Sequence, residues 1–171
     1  MKFNKLILTI LLATLPLITF SQSIFEKYED LDDVTTVVVS KHAFMLLKSL
    51  GGDSKEAQEF RTTVKSLDNL TVYSTDKVQI SNDIKKDVKR YLKSENLSEL
   101  MRIKDKSTNV EIYVREGRDQ DHIKELFMII DNFKNANATN KNFSIVSLTG
   151  DIDLNKIEEI IEKLPIPVEK K

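Results

Sequence analysis

The chain has 171 residues, with 26 Lys and Arg against 27 Asp and Glu and no cysteine. The absence of cysteine excludes disulfides, thiol nucleophiles, sulfur-ligated metal sites and a lipidated amino-terminus. Charges of both signs are interspersed without a basic stripe, which argues against a nucleic-acid-binding protein.

Residues 1–21 have the three parts of a cleavable export signal. Two lysines precede an uncharged apolar run over 6–18, and residues 19–21 resemble a cleavage site. The apolar run is shorter than the span of about 20 residues that a transmembrane helix needs, which disfavours an uncleaved anchor. The sequence predicts export to the periplasm or the extracellular space, as a mature chain of formal charge −3 that is not a lipoprotein and has no stable membrane span.

The first half of the mature chain alternates strands and helices. Residues 22–33 form an amphipathic lead-in with apolar residues three apart, and the β-branched run 34–39 is a buried strand. Two helices separated by a Gly-Gly pair follow, and a second strand spans 70–74. Recurring apolar positions then predict a helix over about 77–93, whose lysines, interrupted by Asp87, form one solvated face. These apolar positions are Ile80, Ile84, Val88, Tyr91 and Leu92.

The second half is predicted as a run of strands. Residues 99–104 and 110–115 form two strands joined by a hairpin loop, and the second strand alternates cleanly. Its inward residues are Val110, Ile112 and Val114, and its outward residues are Glu111, Tyr113 and Arg115. Residues 123–131 are compatible with a strand or a helix, and the polar turns on both sides favour a strand.

The carboxyl-terminal part ends the domain with a strand and a helix. A loop over 135–141 precedes a last strand at 143–148, Asp153 caps a closing helix, and 165–171 form a flexible tail. Strands gathered in one run indicate an α+β fold. We expect a single domain over 34–164, with a mainly antiparallel sheet and helices on one face.

Two histidines are the first candidates for a reactive site. His42 lies at a helix start, where a packing or surface role is expected. His122 has Asp119, Asp121 and Glu125 near it in sequence, and these four could form an adventitious metal site, although a solvated turn is the favoured interpretation.

Asp151 and Asp153 follow a strand beside Gly150 and are a second candidate metal site, with oxygen ligands for a divalent cation. The structural interpretation is stronger. Gly150 permits a sharp turn, Asp151 bonds turn amides, and Asp153 caps the last helix. No cofactor is expected.

Four segments resemble the domain-of-unknown-function 4252 family, whose members are small exported proteins of Bacteroidetes-type bacteria. They are residues 37–41 with Phe44 and Leu47, residues 72–74, residues 113–116 and residues 147–154. The resemblance covers nearly all of the mature chain and implies export and a common fold. It implies no activity and no catalytic residues.

The absence of a catalytic motif favours a non-enzymatic binding or protein-interaction module with an envelope protein as its partner. If helices cover one face of the sheet, the outward Glu111, Tyr113 and Arg115, with Met101 or Arg102, form a mixed aromatic and charged surface suited to a partner. One alternative, suggested by the resemblance, is an envelope-stress sensor or regulatory component. The other is a divalent-metal-dependent enzyme that uses Asp151 and Asp153.

Overall fold

The computed structural model describes residues 24–47, 55–104, 109–133 and 142–163. The strands are β1 (Thr35–Ser40), β2 (Leu67–Thr75), β3 (Ser98–Lys104), β4 (Asn109–Glu116), β5 (His122–Phe133) and β6 (Asn142–Asp153). The helices are α1 (Lys41–Leu47), α2 (Lys55–Lys65), α3 (Val78–Ser94) and α4 (Ile157–Lys163), and 3₁₀ turns span Glu26–Tyr28 and Leu154–Lys156. The predicted signal peptide at 1–21, the loop at 135–141 and the tail at 165–171 lie outside the described residues.

All six strands form one antiparallel sheet in the order β1-β2-β6-β5-β4-β3. β6 is the last strand of the described residues, yet it lies between β2 and β5 and joins the β1-β2 pair to the β3-β4-β5 meander. The antiparallel sheet and the strand interpretation of residues 123–131 are confirmed. The strand order, which the sequence does not predict, follows from the central place of β6.

Both faces of the sheet are covered. Buried side chains at even-numbered positions of β2, β5 and β6 pack with Phe44 of α1, Val64 of α2 and Ile160 of α4. On the other side, which we call the α3 face, the buried odd-numbered side chains pack with Ile84 and Val88 of α3. Leu67 and Ile123 are exceptions, because the register shifts that follow them place these odd-numbered residues in the first cluster. The prediction of helices on one face is therefore not confirmed, because helices pack against the sheet from both sides.

The segment before β1 packs against the α3 face. It forms a 3₁₀ turn rather than the predicted amphipathic helix; Phe25 and Tyr28 are buried, whereas Leu31 is 40% exposed. The ring of Phe25 lies 5.2 Å from that of Tyr91 and 5.8 Å from that of Phe127. The lead-in is thus part of the hydrophobic core rather than an appendage.

Asp87 of α3 connects the helix to this segment. Its side chain is 2% exposed, and it accepts a hydrogen bond of 2.7 Å from the Tyr28 hydroxyl. Lys27 Nζ lies 2.6 Å from the same carboxylate oxygen, and Arg90 pairs with the other oxygen. Lys86, Lys89 and Arg90 are exposed as the sequence predicts, whereas Asp87 between them is buried and Lys85 is half-buried and pairs with Asp131 at 2.7 Å.

We expect Asp87 to make stability depend on pH in the acid range. Burial by itself would raise the pKa of Asp87, but hydrogen bonds from Lys27, Tyr28 and Arg90 outweigh it and lower the pKa to about 2. A carboxyl group whose pKa is lower in the folded than in the unfolded state stabilises the folded state at pH values above its unfolded-state pKa. A contribution of about 2 kcal/mol should therefore be present above about pH 4 and disappear as the pH falls towards 2.

Urea denaturation of the wild type and of Asp87→Asn at pH 7 and at pH 3 measures this contribution. The variant should be less stable at pH 7 by about 2 kcal/mol, and the difference should shrink at pH 3. Asp83→Asn, on the exposed side of the same helix, is the matched control and should change stability little. An equal loss for Asp87→Asn at both pH values would contradict the assignment.

Candidate functional site

A groove between α3 and the β4–β5 part of the sheet is a candidate site, because it combines an apolar floor with several polar side chains. Its volume is about 270 Å³, and its apolar floor consists of Val88, Leu92, Ile129 and Phe143. Its polar lining consists of Lys85, Lys89, Asn109, Glu111, Tyr113 and Asp131. We call it the α3–β4 groove. The alternation of β4 positions Asn109, Glu111 and Tyr113 on the α3 face, where the register sets them opposite Asp131, Ile129 and Phe127.

Hydrogen bonds fix most of the polar side chains of the groove. The Tyr113 hydroxyl donates to Glu111 Oε2 at 2.9 Å, and Asn109 Nδ2 donates to Glu111 Oε1 at 3.3 Å. Burial, followed by the hydrogen bond to Glu111, raises the pKa of Tyr113 above its ordinary value. Within the described part of the chain, the buried Oδ1 of Asn109 accepts no hydrogen bond. Because less than 1 Å² of this oxygen is accessible, it is an unpaired buried acceptor that the groove does not expose.

Glu111, Tyr113 and Arg115 share one face of β4 as the alternation predicts, but that face is not open. Tyr113 is half-buried and packs against the hydrophobic cluster of the α3 face. Glu111 and Tyr113 line the α3–β4 groove, whereas Arg115 does not. The predicted surface is thus divided between a groove and a separate ion-pair network.

Arg115 belongs to a polar network around the buried Glu125. Its guanidinium lies 3.0 Å from Glu95 and 3.0 Å from Glu125, whose side chain is fully buried. Glu125 also accepts hydrogen bonds of 2.8 Å from the hydroxyls of Tyr91 and Ser147. Burial, followed by the nearby charge of Glu125, raises the pKa of Tyr91, so Tyr91 remains a neutral donor. Through these contacts Arg115 compensates the negative charge of the buried Glu125, which is a structural role.

Strand β3 is the edge of the sheet next to the groove. All seven of its residues are exposed, and Leu100, Met101 and Ile103 are each 45–50% exposed. A register shift between Glu99 and Met101 places Glu99 and Arg102 on the same face, where they form an ion pair of 2.5 Å. Arg102 is 3.6 Å from Glu111 and so connects the edge strand to the groove.

Most residues of the two predicted metal sites form ion pairs or a cap. The guanidinium of Arg118 lies 3.2 Å from Asp151, 3.3 Å from Asp119 and 2.6 Å from His122 Nε2. His122 Nδ1 lies 2.6 Å from Asp119. In the described ranges, no group of three or more His, Asp or Glu side chains is arranged to hold a metal ion.

Asp153 caps a helical turn, which matches the structural interpretation. Its carboxylate accepts a hydrogen bond of 2.9 Å from the backbone amide of Asn155, the second residue of the 3₁₀ turn before α4. This bond comes first among the causes that lower the pKa of Asp153. His42, in the first turn of α1, is exposed.

The comparisons with known proteins give one match. A family model described as Domain of unknown function (DUF4252) matches residues 28–160. No curated protein and no solved structure matches the chain. Among the described residues, no helix is long and apolar enough to cross a membrane.

Proposed function

The chain belongs to the DUF4252 family, and we propose that it is an exported, non-enzymatic module that binds an extended segment of an envelope protein along β3. The observation that carries this proposal is the edge position of β3, whose seven residues are all exposed. An edge strand presents backbone donors and acceptors that can pair with a strand of another chain. The predicted export signal supports an envelope location.

The side chains of β3 support selective rather than general pairing. Met101 and Ile103 face the side of the sheet that carries α1 and α2, where they offer apolar contact area to a partner strand. On the opposite side, Glu99 and Arg102 carry charges, and the register shift between Glu99 and Met101 interrupts regular pairing. Charges and bulges at an edge disfavour indiscriminate aggregation.

A capture experiment with a matched edge control tests the proposal. The tagged chain from Gln22 onward is incubated with envelope extract, and bound proteins are identified by mass spectrometry. We expect the combined Met101→Lys and Ile103→Lys variant to lose the specific partner. Val38→Lys should retain it, because Val38 is equally exposed but lies on β1, the opposite edge of the sheet.

Hydrogen exchange distinguishes strand addition from other modes of binding. Pairing of a partner strand should slow the exchange of the outward-facing amides of β3 and leave those of β1 unchanged. Retention of the partner by the Met101→Lys and Ile103→Lys variant, or protection confined to residues outside β3, would refute the proposed surface. Circular dichroism of each variant confirms that the fold is intact.

A further inference from the structure

Strand β1 is the other edge of the sheet, and it lacks the features that protect β3. Among the described residues, its neighbour in the sheet is β2, with which it pairs without a register shift. Its sequence, Thr-Thr-Val-Val-Val-Ser, contains no charge and no proline. β3, in contrast, carries charged side chains and a register shift. Charges, proline and bulges are the usual means of keeping an edge strand from pairing with another chain. β1 is therefore an edge that can accept a further strand over its full length.

Exposed apolar side chains lie on β1 and directly after it. Val37 and Val39 pack with the cluster beneath α1 and α2, so the intervening Val38 lies on the α3 side, where it is 54% exposed. Met45 and Leu46 of α1, which begins directly after β1, are also exposed. Of the eight large apolar side chains that are exposed in the described ranges, these account for three and β3 for another three. Apolar exposure in this part of the chain is thus concentrated at the two edges of the sheet, which indicates interaction surfaces.

The residues of β1 are compatible with pairing to a second copy of the same strand. Antiparallel pairing around a two-fold axis normal to the sheet keeps the α3 faces of both copies on one side, and it places residues of equal parity opposite each other. With the axis at Val37, Val38 lies opposite Thr36 of the second copy, and Thr35 lies opposite Val39. Each of these pairs combines β-branched side chains, which suit a sheet, and no like charges meet.

The charges that flank β1 favour the antiparallel orientation. Asp33 lies just before the strand, Lys41 follows it directly, and both are exposed. With the axis at Val37, the acidic end of each β1 lies beside the basic end of the other, whereas parallel pairing would bring like ends together. Within its own chain Asp33 lies 3.3 Å from Lys77, and Lys41 lies 2.6 Å from Asp68. These exposed charges therefore contribute to the orientation of pairing more than to its affinity.

We propose that two copies of the chain form a dimer by antiparallel pairing of β1 with β1, which joins the two six-stranded sheets into one. The two β3 strands then lie at the far ends of the joined sheet, where each copy can still bind its proposed partner. Because the pairing of one strand edge buries a small area, the association should be reversible and of moderate affinity. The dimer does not depend on the proposed function of β3.

Sedimentation equilibrium of the chain from Gln22 onward tests the dimer. We expect the mass to rise with concentration from that of one chain to twice that value, with a Kd of about 100 µM or tighter. Hydrogen exchange of the wild type should show that the amides of β1 become protected over the same concentration range, whereas those of β3 do not. A protein that remains monomeric at about 500 µM, or protection of β1 that appears only when envelope extract is added, would overturn the proposal.

Charged variants of Val38 locate the interface. Val38→Lys and Val38→Glu should each raise the dimer Kd at least about tenfold, because two like charges then lie diagonally across the axis and the apolar contact is lost in both copies. An equimolar mixture of the two variants should associate at least about fivefold more tightly than either variant alone. Val38→Thr, which stays β-branched and uncharged, is the matched control and should remain dimeric. Circular dichroism confirms that each variant is folded.

The same variants provide the results that would contradict pairing through β1. A dimer that persists in both charged variants, or a mixture that associates no better than its components, would show that the two Val38 side chains do not face each other. The Met101→Lys and Ile103→Lys variant should remain dimeric, and loss of its dimer would place the interface at β3 instead. Failure of the β3 proposal and failure of the β1 dimer are therefore distinguishable.

Discussion

Replacing Gly150 with alanine is expected to lower the free energy of unfolding by about 3–5 kcal/mol, because backbone strain and overlap with a neighbouring segment add together. Gly150 has a φ of +149°, a region that residues with a side chain rarely adopt. An added Cβ would lie 2.4 Å from the carbonyl oxygen of Ser66 and 2.8 Å from Leu67 Cα. Both contacts are with backbone atoms, so no side chain can rotate away to relieve them.

The consequence should extend beyond the site of substitution. Gly150 of β6 is paired with Leu67 of β2, and the next amide, of Asp151, donates to Ser66 at 2.9 Å. An outward shift of β6 would therefore disturb the start of β2 and the buried Leu67. Urea denaturation measures the loss, with the neighbouring Thr149→Ala as a control that should cost less than about 1 kcal/mol. A Gly150→Ala protein of wild-type stability would contradict the contact geometry.

Arg115→Leu is expected to cost about 3 kcal/mol of stability, the lower end of the range for breaking a buried ion pair. The lower end applies because the Arg115 side chain is 34% exposed, whereas that of Glu125 is fully buried. Without the guanidinium, the close polar partners of the Glu125 carboxylate among the described residues are the hydroxyls of Tyr91 and Ser147. Two neutral donors do not compensate a buried charge.

A double substitution separates loss of the pair from loss of packing. Arg115→Leu combined with Glu125→Leu removes both charges and should be more stable than Arg115→Leu alone. Tyr113→Phe on the same strand removes one hydroxyl and should cost no more than about 1 kcal/mol. Chemical denaturation of the three proteins measures these differences. A loss of stability far below about 3 kcal/mol for Arg115→Leu would indicate that Arg115 is an exposed interaction residue rather than a structural partner of Glu125.

Local sequence patterns predict the helices and strands, but they do not predict that helices cover both faces of the sheet. Alternation correctly separates the two faces of β4, and polar turns correctly identify β5 as a strand. The continuous apolar run Leu126–Ile130 of β5, all 9% exposed or less, contains the information that both faces are buried. The alternation of β4, which has polar groups on one side, instead suggests that one face of the sheet is open. The reason is that β4 lies near the edge of the sheet, where the helices cover it incompletely.

The candidate site could be predicted only in part for a similar reason. Glu111 and Tyr113 are recognisable from one strand, but Lys85, Lys89 and Asp131 reach the groove from other elements. Nothing near Arg115 in sequence indicates that the fully buried Glu125 needs its charge. The sequence does contain one indication, which is that the Glu125 carboxylate lies in a strand that is otherwise apolar. Such a carboxylate needs a partner when it is buried.

The central position of β6 determines when the protein can fold. Leu148 of β6 pairs with Leu70 of β2 and with Leu126 of β5, so contacts distant in sequence hold the two halves of the sheet together. Until β6 has been synthesised, β2 and β5 each have an unsatisfied edge, and no common core can form. Such long-range pairing makes folding slow. If the proposed export takes the chain across a membrane unfolded, a fold that closes only when β6 is available is an advantage.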